Sequence, residues 1–395
     1  MRIVQINSVY GYGSTGRIVK DIHHALLDNG HESFVIYGRT GALGSQQMNK
    51  LNEKNVFYIQ QGWEEKLHIL FGTLLDRHGR YSYVNTKKII EQIAKCDPDI
   101  VHLHNIHGFY LNYEMLFNFL KNSKIKVVWT LHDCWSKTGF CSHYDYNQCE
   151  GYKTGCRNCK YKNVYPYRVL SNSRDNFELK KSVFTSLDDL TIVTPSRWLK
   201  EQIDDSYLKE YPKTVIHNGI DTTKFKYHEN DLRERYDLKN KKIALVVSSL
   251  YSVQKGLDEY RKLAGMLSDD WKLVMIGLSD KQIKELPEGI LGIQRTNSVE
   301  ELVDWYSTAD CLLNLSLEDV YPTVNIEAMS CGLPVIAYRT GGMIEQVEGK
   351  GILIDKYDIQ GVCTALNTFD MPRQEYTFDN NMTEDYIRLY EEIMK

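Results

Sequence analysis

The chain has 395 residues, of which 42% are hydrophobic and 25% charged, the proportions of a globular protein rather than a disordered one. That length is more than one hydrophobic core comfortably serves, so two domains are expected. The 48 basic and 52 acidic side chains leave a formal charge of −4, which gives no general attraction for nucleic acid, and no run approaches the length of a membrane-spanning helix.

The N-terminus, Met1-Arg2-Ile3-Val4-Gln5-Ile6, enters a strand without the apolar stretch of a secretory leader, so a reducing, cytoplasmic setting is expected. The pattern predicts a strand over 2–7 and a helix over 16–29 that ends near Gly30. Next come strands over 33–37, 98–104, 126–131, 191–194 and 214–217. Trp63, Leu67, Leu70, Phe71, Leu74 and Leu75 recur at helical spacing beside Lys66, Arg77 and Arg80. The default reading is a core helix; the sharper one is a helix at a membrane surface, which would bring a lipid-linked acceptor to the site and make the protein peripheral to the membrane.

Residues 134–162 break this alternation and read as a polar, cysteine-rich insertion at the carboxyl end of a strand. Cys141-x7-Cys149-x6-Cys156-x2-Cys159 ends in the CxxC knuckle of tetrahedral zinc sites. A structural zinc is expected there, with four reduced, free thiols as the alternative; the reducing setting disfavours disulfides. Cys96, Cys311, Cys331 and Cys363 are scattered and read as small core residues.

In the second half, strands are predicted over 242–248, 272–276, 290–295, 311–315, 335–338 and 352–354, with helices over 299–309 and 322–330. Alternating strands and helices imply two α/β domains with parallel sheets, spanning 1–222 and 223–380 and facing a ligand cleft. Residues from about 380 to 395 form a last helix able to fold back on the first domain.

The segment from Ser316 to Gly332 carries the most chemistry. A strand ends at Glu318-Asp319 and a helix opens at Pro322, so unpaired amides near Thr323 and Val324 suit a phosphate. Glu327 lies about one turn inside the helix, where a carboxylate can accept both ribose hydroxyls. This segment resembles the acid-x7-acid motif of retaining GT-B glycosyltransferases of carbohydrate-active family 4, of the bacterial surface-polysaccharide type, with Asp319 and Glu327 as the two acids. The family usually has glutamate first, and here either Glu318 or Asp319 can face the donor.

The resemblance extends over nearly the whole chain. Gly11-Tyr12-Gly13-Ser14-Thr15-Gly16-Arg17 is similar to the family loop that reaches the donor diphosphate, which makes Gly13, Gly16 and Arg17 donor-binding candidates. Lys255 resembles the lysine that neutralises the leaving diphosphate. The arginine that assists it in many relatives is replaced by Ser248-Ser249-Leu250, so Arg295 or Arg17 is the candidate second cation. His132 resembles the histidine that contacts donor sugar and phosphate. His102, His104 and His107 read as buried, hydrogen-bonded histidines rather than a metal set.

The resemblance implies a GT-B fold of two Rossmann-like domains and transfer of a sugar, with retention, from a nucleotide-diphosphate sugar to a glycan or lipid-linked acceptor. The step requires no catalytic metal. The alternatives are a nucleotide-sugar epimerase of the same fold and a non-catalytic nucleotide-sugar-binding subunit.

Overall fold

Ile3, Val4 and Ile6 are fully buried, and so are Val35, Ile36, Ile100, Val101 and Leu103. Runs that are apolar on both faces belong to a parallel sheet covered by helices on each side. The computed structural model describes residues 1–39, 53–59, 62–161 and 164–395. These form two units, Met1–His217 with Asn381–Lys395, and Asn218–Asn380.

In chain order the first unit contains β1 (Arg2–Asn7), α1 (Gly13–Asp28), β2 (Glu32–Tyr37), β3 (Val56–Tyr58), α2 (Gly62–Leu75), α3 (Tyr83–Cys96) and β4 (Ile100–Leu103). It continues with α4 (Tyr113–Lys121), β5 (Lys126–Thr130), α5 (Ser173–Phe184), β6 (Leu190–Thr194), α6 (Arg197–Asp204) and β7 (Lys213–Val215). The sheet order is β3-β2-β1-β4-β5-β6-β7, parallel throughout.

The second unit contains α7 (Leu232–Arg235), β8 (Lys242–Val247), α8 (Leu257–Ala264), β9 (Trp271–Ile276), α9 (Asp280–Lys284), β10 (Ile290–Ile293) and α10 (Val299–Thr308). Then come β11 (Cys311–Asn314), α11 (Thr323–Ser330), β12 (Val335–Tyr338), α12 (Met343–Val347), β13 (Ile352–Ile354) and α13 (Ile359–Asn367). Its sheet is also parallel, in the order β10-β9-β8-β11-β12-β13. Both units are therefore Rossmann-like α/β layers.

The last helix, α14 (Met382–Ile393), belongs to the first unit. Met382, Tyr386 and Tyr390 pack with Ile3, Ile18, Ile22 and Leu26 in one core cluster. The tyrosines also satisfy buried polar groups: the Tyr390 hydroxyl meets His102 Nδ1 at 2.7 Å, and the Tyr386 hydroxyl meets Thr130 Oγ1 at 2.8 Å.

Differences from the sequence pattern have local causes. Helix α1 starts at Gly13, three residues before the predicted 16, and Gly13 turns the chain into it at φ +64°, where other residues would be strained. Pro322 caps α11 from an extended conformation rather than opening it. Among its described residues the insertion holds three short turns of 3-10 helix, at Trp135–Lys137, Asp145–Asn147 and Gly151–Thr154; its last residue, Lys162, lies outside the described residues.

Helix α2 corrects the default core reading. It buries Glu64, His68 and Gly72 and exposes Trp63, Leu67, Leu70, Phe71 and Leu74. Polar partners decide its orientation: the Glu64 carboxylate accepts from Val84 N and Asn85 N at 3.0 and 2.9 Å, and His68 Nε2 accepts from Gly79 N at 2.9 Å.

Several imidazoles are held neutral. Burial, which strips water from the charged ring, lowers His23 to about 4 and His68 and His78 to about 3. In the unfolded chain each would take a proton near 6.5. Below that value the unfolded state binds more protons than the native one, so stability falls as pH falls. Each group costs about 1.4 kcal/mol for every pH unit between the two values. Calorimetric unfolding should therefore show Tm dropping steadily from neutral pH to about pH 5, and a flat profile would contradict the buried neutral state.

Candidate active site

In an open parallel sheet, ligands bind where the strand order reverses, because the loops leaving the two central strands diverge there. That reversal falls between β1 and β4 in the first unit and between β8 and β11 in the second.

In the first unit, the loop leaving β1 and the first turn of α1 carry Gly11, Gly13 and Gly16. A Cβ at Gly16 would lie 3.2 Å from Gly11 N and 3.2 Å from Val9 Cγ2, and Gly16 O accepts from Gly11 N at 2.9 Å. Gly16 therefore closes the loop. Gly13 has nothing within 4 Å of its Cβ position, so the first turn of α1, which has no side-chain cap and no acidic residue, is open to an anion. Arg17 is half-buried in the same turn.

His132 follows β5 and is tied to the sheet through a relay. Gln5 Nε2 donates to Val19 O at 3.2 Å, which turns Gln5 Oε1 toward His104 Nε2, also at 3.2 Å. His104 Nδ1 is then an acceptor for the Nε2–H of His132, 3.1 Å away. This tautomer leaves His132 Nδ1 as an acceptor. Burial lowers His132 to about 4 and outweighs the neighbouring Asp133 carboxylate, so the ring is neutral at physiological pH. Burial alone would raise Asp133, but His107, bonded at 2.7 Å, holds it down at about 2. His102 and His104 are buried and hydrogen-bonded, with basicities well below normal.

In the second unit, the loop leaving β8 ends at Lys255 and the loop leaving β11 holds Glu318 and Asp319. The two loops are laced together. Leu317 N donates to Gln254 O and Gln254 Nε2 to Glu318 O, both at 2.8 Å, and Lys255 Nζ pairs with Asp319 Oδ2. Asp319 and Lys255 are both half-buried, whereas the Glu318 side chain is fully enclosed. Of the adjacent acids, Asp319 is paired with the lysine.

Helix α11 starts at Thr323, four residues after Asp319, with Thr323 buried and Val324 half-buried in its first turn. Glu327 is 1% exposed and accepts from the Tyr306 hydroxyl at 2.8 Å. A buried amide chain anchors the helix start: Asn314 Nδ2 donates to Asn325 Oδ1, Asn325 Nδ2 to Gln346 Oε1 and Gln346 Nε2 to Pro322 O, at 2.9, 3.0 and 3.1 Å.

Arg295 does not join this group through its strand. It is exposed just beyond β10, an edge strand separated from β8 by β9. Sequence reasoning missed Tyr306, Gln254, Asn325 and Gln346, and also the glycines that let the loops approach. A Cβ at Gly256 would lie 2.2 Å from Leu315 O, and one at Gly341 would lie 2.0 Å from Asp319 O. The Lys255-Gly256 and Gly341-Gly342 steps were the available signals.

The cysteines of the insertion, Cys141, Cys149, Cys156 and Cys159, are half-buried and form no disulfide. Cys156 Sγ accepts from Gly139 N at 3.1 Å. Lys180 lies buried against the insertion, donating to Trp135 O and Thr138 O at 2.8 and 3.1 Å. Among the described residues, no three His, Cys, Asp or Glu side chains are gathered as a metal set.

Comparison with known proteins agrees with this architecture. Residues 15–224, more than half of the chain, match the model described as Glycosyltransferase Family 4, and residues 241–369 match Glycosyl transferases group 1. The colanic acid biosynthesis glycosyl transferase WcaC of Escherichia coli K12 is 25% identical over 415 residues, covering 100% of both chains. Sucrose-phosphate synthase from Thermosynechococcus elongatus superposes with a TM-score of 0.65 at 16% identity, covering 93% of this chain and 88% of its own. Anabaena HepE in complex with UDP-glucose superposes with a TM-score of 0.60 at 15% identity, covering 93% and 89%. With two Rossmann-like units, each with a strand-order reversal, and family matches across both halves, the chain is a GT-B glycosyltransferase belonging to glycosyltransferase family 4.

Proposed function

We propose that the chain moves a sugar from a nucleotide-diphosphate sugar to a glycan or lipid-linked acceptor, with retention at the anomeric carbon, in the synthesis of a bacterial surface polysaccharide. The observation that carries this reading is the Lys255–Asp319 pair at the β8/β11 reversal, beside the open first turn of α11. The name of the full-length Escherichia coli relative supports the pathway class, and the UDP-glucose bound to Anabaena HepE makes UDP-sugars the first donors to test.

In this reading a donor diphosphate competes for the Lys255 ammonium. The Thr323 and Val324 amides, the Gly13 turn and Arg17 or Arg295 add positive potential. Asp319, released from Lys255, accepts sugar hydroxyls, while Glu318 stays inside as support for its loop. Glu327, aligned by Tyr306, accepts the ribose hydroxyls. The His132 Nδ1 lone pair accepts from a sugar hydroxyl. The anomeric C–O bond to the phosphate breaks as the acceptor oxygen bonds to the same face. The acceptor proton passes to the departing phosphate oxygen, and fixed cations stabilise the growing negative charge.

We also propose that Cys141, Cys149, Cys156 and Cys159 take up a structural zinc. Binding would draw the four thiols together and give a loop with little apolar surface the energy to hold its shape. Protein purified without chelators should then carry about one zinc per chain, and chelation should increase proteolysis within residues 141–161 while donor affinity is retained. Metal-free protein with four freely reactive thiols would overturn this site and leave the transfer reading intact.

Lys255→Ala should lower kcat by about 10²-fold, with a smaller change in donor affinity, because the lost charge acts mainly on the leaving group. Wild-type turnover in single-turnover assays would place that charge elsewhere. Glu327→Ala should weaken donor binding by about 1.5–3 kcal/mol, the worth of hydrogen bonds to a charged group. Titration calorimetry of the folded variant, beside Tyr306→Phe, checks this. Incubation with labelled UDP-sugars tests the whole reading: transfer or slow hydrolysis supports it, whereas isomerisation or binding alone refutes it.

A further inference from the structure

Helix α2 is inverted relative to an ordinary surface helix. Glu64, His68 and Gly72, at i, i+4 and i+8, face the protein, while Trp63, Leu67, Leu70 and Leu74 form an outward stripe. The inward residues are bound in place by the Val84, Asn85 and Gly79 amides, and His68 Nδ1 meets Ser82 Oγ at 2.8 Å. Rotating the helix to bury its leucines would break all of these contacts.

The apolar surface continues beyond the helix. Val169 N and Leu170 N donate to Thr73 O and Leu74 O at 2.9 and 3.2 Å, which places two further exposed aliphatic side chains alongside it. Tyr167 precedes them, and Tyr83 and Val84 open α3; all three are exposed. Isolated exposed apolar residues are normal, but a contiguous patch of this kind marks an interaction surface.

The surrounding charge identifies the occupant. Between residues 62 and 88 the exposed charged side chains are Lys66, Arg77, Lys87 and Lys88, all cations. The acids of the stretch are withdrawn: Glu64 and Asp76 are buried, the latter paired with Arg168 at 2.7 Å, and Glu65 faces Arg39 at 3.5 Å. A cationic rim on a chain of net charge −4 is complementary to anionic headgroups, and outward aromatic residues suit the lipid–water interface. Among the described residues no helix is long and apolar enough to cross a membrane. We infer that the outward face of α2, with the start of α3 and the 167–170 segment, seats in the headgroup layer of an anionic membrane.

This does not rest on the transfer reaction, and its test reads lipid binding rather than activity. Of the six tryptophans only Trp63 is exposed, so it reports directly. With phosphatidylcholine vesicles containing phosphatidylglycerol, the protein should co-sediment, its emission should shift to the blue, and iodide quenching should fall. Phosphatidylcholine alone should give little of this, and added salt should reverse it. Leu67→Glu with Leu70→Glu should weaken vesicle binding at least about tenfold. Lys87→Glu with Lys88→Glu should act in the same direction, and both pairs should leave Tm unchanged because the side chains are exposed. Protein that stays in the supernatant, or binding indifferent to both pairs, overturns the inference. So does sedimentation velocity showing a dimer that Leu67→Glu with Leu70→Glu dissociates, which would assign the face to a second copy of the chain.

Discussion

Strands β8 and β11 pair in parallel, and this pairing is the constraint on which the chemistry of the second unit depends. Lys255 and Asp319 are 64 residues apart in sequence, yet each lies in the loop that leaves one of two neighbouring strands. No local preference could unite a flexible lysine with that carboxylate. The sheet does so because parallel strands release their loops at one edge, and the reversal of strand order leaves room there for a ligand. Close approach then requires glycine at 256 and 341, where any side chain would collide with backbone carbonyls.

Rigidity behind this edge comes from uncharged polar groups. The Asn314–Asn325–Gln346 chain joins the end of β11, helix α11 and helix α12 and closes on Pro322 O. Buried amides are costly unless satisfied, so this chain selects one geometry for the first turn of α11. Unit one uses a related device, in which Gln5 and His104 fix the tautomer of His132. In both cases an amide side chain inside the sheet orients a group that reaches its edge.

The strands were legible because continuous apolar runs bounded by turn residues have few alternatives. The acid pair, Lys255 and Glu327 were legible because strand-to-helix transitions mark sheet edges. Three-residue β3 was not, since so short a run carries no period. Tyr306 was also hidden: it lies 21 residues before Glu327 on a helix whose pattern reads only as packing. Helix α2 misled for a different reason. Its apolar spacing is real, but spacing cannot tell which face turns inward, and Glu64 and His68 settled that through partners on residues 79–85. The sequence offers Arg295 and Arg17 alike as spare cations, and it could not show that Arg295 follows β10, an edge strand beyond β9.

Helix α14 has a consequence for the order of synthesis. It packs on β1 and α1, which precede every other described element, yet it follows all of them in the chain. On the ribosome the second unit, continuous from Asn218 to Asn380, can complete its contacts before the first unit can. Until α14 emerges, Ile18, Ile22 and Leu26 lack their tyrosine cover and His102 lacks the Tyr390 hydroxyl. The nascent first unit is thus a partly open sheet whose apolar surface stays uncovered until α14 docks. Disruption of α14 would reach the core of β1 and α1 directly.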